Sequence, residues 1–196
     1  MKKSIFFVLI LVVALFTASC GEKSDSTADV PEKAEVKKVA VVENSMSFSS
    51  EAISGDGFTL SYTEAKKHTM QSGDKKYSAM IIQLANYDSG GGSWHPTPKE
   101  DGHIRVTVNF SAPAGEELKA GVYNIAGTMA ESNYLSIGIE GMVDGAVKSI
   151  GLYNGEGSGE ITHIDDKTIS GKIELKDSKG TTIKATFSTP YTKSMF

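Results

Sequence analysis

The chain has 196 residues and a net charge of −4, with 20 Lys+Arg against 24 Asp+Glu. Its body carries no Lys/Arg cluster, which argues against nucleic acid or anionic lipid headgroups as partners. The one cysteine, Cys20, leaves no intramolecular disulfide and no Cys-based metal cluster, and 20 glycines with 39% hydrophobic residues suit a folded, turn-rich body.

Lys2 and Lys3 precede an unbroken apolar run from Ile5 to Phe16, and Thr17, Ala18 and Ser19 lead into Cys20. A helix of this length spans only ~18 Å, against ~30 Å for a hydrocarbon core. The run is therefore short for a permanent transmembrane helix and fits an export signal. A lone cysteine directly after small residues at the end of such a run resembles the lipobox of bacterial lipoproteins, with Thr17 where Leu is usual. The resemblance implies that residues 1–19 are a signal peptide and that Cys20 is the first mature residue, carrying palmitate-type acyl chains. Gly21, in place of the Asp that retains lipoproteins in the inner membrane, then implies the outer membrane, on either face.

From Cys20 to Asn44 the chain is polar, charged and without aromatics, so it reads as a flexible tether. Val39–Val42 is the one stretch of it that could add a strand.

Residues 45–196 read as a single all-β domain. Phe58, Leu60 and Tyr62 alternate with polar residues, as do Ile104, Val106, Val108 and Phe110, and then Leu135, Ile137 and Ile139. Ser78 to Asn86 is apolar on both faces and predicts a central strand. Turn chemistry at Gly73-Asp74, Asp144-Gly145, the glycines of 155–159, Asp165–Lys167 and Asp177–Gly180 separates about ten strands. Such spacing predicts an antiparallel β-sandwich or, as the alternative, an up-and-down β-barrel. The C-terminal third reads as a meander of strands 159–164, 168–176 and 181–188. Its residues GEITHIDDKTISGKIELKDSKGTTIKATF resemble the closing hairpins of bacterial lipoproteins of unknown function, which implies a shared β architecture and no particular reaction.

The chemistry-bearing residues are sparse. His68, His95, His103 and His163 show no metal-ligand spacing, and His103 alternates with Arg105 on what reads as the solvent face. No nucleophile motif, phosphate loop or calcium loop is present, and no motif calls for a metal or cofactor. The longest polar segment, 88–102, holds the only tryptophan, Trp94, beside His95, after three consecutive glycines and before Pro96 and Pro98. Connections of this length are often functional. Trp94 and His95 are thus the candidate binding loop, either presented outward on a proline-stiffened tip or folded back as a plug. Two functions follow: a non-enzymatic binding or structural module for a protein, glycan or small ligand, or a hydrolase acting on envelope or extracellular polymer. The missing catalytic constellation favours the first. Two acids facing one groove would favour the second.

Overall fold

The computed structural model describes residues 43–55, 58–88 and 96–193. Ten strands run through them: β1 (Ser45–Ser49), β2 (Tyr62–Ser72), β3 (Lys75–Ala85), β4 (Ile104–Ser111), β5 (Gly121–Asn124), β6 (Tyr134–Val143), β7 (Ala146–Leu152), β8 (Gly155–Ile164), β9 (Thr168–Asp177) and β10 (Thr182–Lys193). Eight of them close into a ring in the order β2-β3-β4-β6-β5-β8-β9-β10, with β10 returning to β2. The fold is all-β, and of the two arrangements that the alternation allows it is the barrel. The ring departs from strict up-and-down order at one place, where β5 precedes β6 in the chain but lies beyond it.

The two seams are built alike. One edge of β10 is shared between β1, antiparallel along Thr182–Thr186, and β2, parallel along Tyr191–Lys193. One edge of β6 is likewise shared between β7, antiparallel, and β5, parallel at Tyr134. All other pairings in the ring are antiparallel.

Alternation then decides what fills the ring. Met80, Ile82 and Leu84 of β3, Val106, Val108 and Phe110 of β4, Leu135, Ile137 and Ile139 of β6, and Ile173, Ala185 and Phe187 of the closing meander belong to one buried cluster. Eight strands leave an interior just wide enough for side chains. Phe110 stands at its centre, with ring centroids 5.2 Å from Tyr123 and 5.9 Å from Phe187. The fully buried Tyr123 satisfies its hydroxyl locally, donating to the Lys119 carbonyl at 2.9 Å and accepting from the Lys119 amide. One end of the ring is stopped by the segment after β1, where Ile53 packs over Gly141.

Two segments differ from the alternation. Phe58 and Leu60 are not in a strand; they pack against the core from the crossing segment, and the strand begins only at Tyr62. It runs on through Lys66, Lys67 and His68, where the sole fully buried side chain is Ala65, so period-two hydrophobicity is faint there. The glycines of 155–159 form no connection but the first half of β8. At Gly157, with φ +111°, a Cβ would lie 2.2 Å from the Glu174 carbonyl oxygen, so β8 approaches β9 closely through glycine. Elsewhere the turns match. Asp144-Gly145 has both residues at positive φ, the two-residue hairpin joining β6 to β7. β3 is covered on both faces, as its apolar run requires.

Candidate functional site

Cys20, Trp94 and His95 lie outside the described residues, as does Val39–Val42. The two ends of their segment, up to Asp88 and from Pro96 onward, are described, and they converge on the outer face of β4 and β6. Asn86 clamps the base of the 88–102 segment: its Nδ2 donates to the Gly102 carbonyl at 2.8 Å and its Oδ1 accepts from the Ile104 amide at 2.7 Å. The Gly102 amide donates to the Met142 carbonyl and the Met142 amide to the His103 carbonyl, and the Gly145 amide donates to the Asp101 carboxylate at 2.9 Å. Pro96 and Pro98 are buried while Thr97 between them is exposed. Tyr87 donates its hydroxyl to the Pro96 carbonyl. The proline half of the segment is thus held against the barrel wall.

Beneath it lies a cluster of polar and aromatic side chains. The rings of Tyr87 and His103 stack in parallel with centroids 4.4 Å apart. Burial raises the Tyr87 hydroxyl pKa, with Glu140 adding and Arg105 opposing, so the hydroxyl stays a donor. Arg105 does stand on the outer face, as alternation predicts, but it is not solvated: its side chain is only 10% exposed. Its Nη2 donates to the Glu140 carboxylate at 2.6 Å. Its Nε and Nη1 are buried with no hydrogen-bond partner among the described residues, and the same holds for His103 Nδ1.

Arg105 is buried where the alternation predicts a solvated side chain, and the sequence carries one signal of it. It is the only arginine among 20 basic residues. Lysine serves equally on a solvated face, whereas a planar five-donor fork is the choice for buried recognition of carboxylates.

From Glu140 the outer face continues over bare backbone. Gly138 of β6 pairs with Gly151 of β7, and a Cβ at Gly138 would meet nothing within 4 Å. The Tyr153 ring lies against Gly151 and remains 60% exposed.

A groove of about 580 Å³ lies elsewhere, on the outer face of β1, β10, β9, β8 and β5. Glu160 and Glu174 both line it, on adjacent strands in a diagonal relation that sets Cβ atoms about 7–8 Å apart or less. Each is held by a lysine, Glu160 by Lys172 at 2.8 Å and Glu174 by Lys184 at 2.6 Å. The Lys184 contact lowers the Glu174 pKa, the direction opposite to that of a general acid. His163 and Asp165 meet at 3.1 Å in the turn after β8, where the Lys167 and Thr168 amides, more than His163, lower the Asp165 pKa to about 2. This is a turn-stabilising carboxylate. Among the described residues no group of three or more His, Cys, Asp or Glu could hold a metal ion. No family model, curated protein or solved structure matches the chain.

Proposed function

We propose that the protein is an exported lipoprotein of the bacterial envelope, anchored in the outer membrane by acyl chains on Cys20, whose barrel works as a non-enzymatic binding module. Its recognition surface is the outer face of β4, β6 and β7 beside the 88–102 segment. The observation that carries this reading is Arg105, a buried cation that has, among the described residues, a single carboxylate partner and donors left over. A buried charge that is only partly paired destabilises a fold, and sites of that kind are kept where a ligand completes them.

The hydrolase reading draws on one observation, the two carboxylates sharing the β8–β9 groove. Glycoside hydrolysis needs one of them protonated near neutrality. Lys184 lowers the pKa of Glu174, which disfavours it as that acid, so binding is the better account.

The experiment has two arms in the native host. Cys20→Ala leaves the leader uncleaved and abolishes detergent-phase partitioning of the processed form, because two or three acyl chains anchor stably where none does. A photo-crosslinking residue at Thr97 captures an envelope component, while the same residue at Lys184, in the β8–β9 groove, does not. Normal processing of the Cys20 variant overturns the anchor, and the reversed crosslinking pattern overturns the site.

A further inference from the structure

The geometry points to a carboxylated sugar, a uronic acid residue, as the ligand of the Arg105 site, with Glu140 as its stand-in when the site is empty. This rests on the reading of the barrel as a binding module and names what that module takes.

The guanidinium supplies the first half of the argument. A guanidinium has five N–H donors arranged along two edges that share Nη2. Glu140 takes Nη2 through one oxygen, Oε2, at 2.6 Å. Whichever Nη2 hydrogen it uses, one complete two-donor edge remains, made with either Nε or Nη1, and neither nitrogen has a partner among the described residues. A planar carboxylate fits such an edge with two parallel hydrogen bonds. The group already resting there is a carboxylate, so the site displays its own template. Arg105 is nine-tenths buried but Glu140 is a third exposed. The exchange therefore proceeds on the Glu140 side: its side chain swings into water, and the incoming carboxylate takes Nη2 together with the free donor beside it.

The wall next to Glu140 supplies the second half. One row along the sheet, Gly138 presents no side chain and nothing stands over it, while its partner Gly151 makes room for a ring, leaving a strip of low relief. The Tyr153 ring covers the Gly151 half of that strip and is itself 60% exposed. Ser149, opposite Glu140, and Ser136, opposite Asn109, rim the strip with hydroxyl and amide groups. A flat aromatic face beside a shallow, polar-rimmed floor suits a pyranose, whose C–H face stacks on the ring while its hydroxyls meet the rim.

Arg105 being the only arginine gives the test a unique reporter, since a nitrogen-15 spectrum of the full-length chain in detergent contains one arginine Nε–H resonance. Titration with glucuronate is expected to move that resonance saturably, while glucose and equal concentrations of sodium chloride leave it in place. Tyr153→Ala, an exposed change that spares the core, weakens glucuronate binding by roughly 2- to 10-fold, the scale of one stacking contact. Glu140→Gln removes the competing charge and tightens binding, whereas a purely structural ion pair gains no affinity for anything when it is broken. Arg105→Lys, followed by calorimetry, loses roughly 10-fold or more, the scale of a charge-assisted hydrogen bond. A resonance unmoved by glucuronate, or moved equally by chloride, overturns the proposal. Acetate or N-acetylglycine binding as tightly as glucuronate overturns the sugar and leaves a bare carboxylate or a peptide terminus. If these arms fail while Thr97 still captures its partner, the ligand class falls and the binding module stands.

Discussion

Phe187→Ala is expected to lower stability by about 3–5 kcal/mol and Ile173→Ala by about 2–5 kcal/mol, against a typical domain total of about 5–15 kcal/mol. Phe187 has no exposed surface and packs 5.9 Å from Phe110 at the centre of the ring. Its partner across the β9–β10 ladder is Gly171, where a Cβ would sit 2.6 Å from the Phe187 ring. The glycine makes room for the ring and brings no side chain of its own to refill the space that Ala leaves. That favours the upper half of the range. Lys172 and Lys184, on the opposite face of the same strands, should each leave the unfolding midpoint nearly unchanged when replaced by Ala, because exposed ion pairs contribute little. Urea unfolding with an unchanged slope distinguishes these outcomes. Similar losses from both faces would mean that Phe187 does not look into the barrel.

The meander that places Phe187 was legible because its two faces differ so strongly. Ile169, Ile173 and Leu175 against Lys172, Glu174 and Lys176 leave only one register with a dry side. β2 was legible only at its start. Its outward residues, Lys66 and His68, and its inward residues, Ala65 and Lys67, carry almost no contrast, so neighbour pairing with β3 sets the strand instead. The glycines of β8 failed for the reverse reason. Glycine signals a turn when read alone, and only the nearness of the β9 backbone reveals that it serves a close approach. Ring closure depends on Tyr191–Lys193 lying beside Ala65–Lys67, a pairing across more than a hundred residues that local pattern does not encode. The site was hidden likewise. Alternation correctly assigned Arg105 to the outer face, but alternation says nothing of whether that part of the outer face is buried. The bonds at the base of the 88–102 segment, from Asn86 and Asp101, join residues far apart in the chain.

Replacing the Arg105–Glu140 pair distinguishes what the fold needs from what the site needs. Glu140→Leu alone strands a guanidinium that is nine-tenths buried, and the expected loss is about 3–5 kcal/mol. Arg105→Met alone leaves a carboxylate that is still a third exposed and can turn to water, so about 1–3 kcal/mol is expected. The double variant, Arg105→Met with Glu140→Leu, should recover most of both losses and equal or exceed the parent by about 1–4 kcal/mol, because two well-packed apolar groups need no desolvated charge. A thermal unfolding series on the four proteins measures this cycle. Two single losses that simply add in the double variant would mean that the residues do not act as a pair. A recovered double variant that no longer responds to glucuronate would separate the two roles cleanly. The barrel would then be at least as stable without its one arginine, and its presence would be explained by the carboxylate it receives.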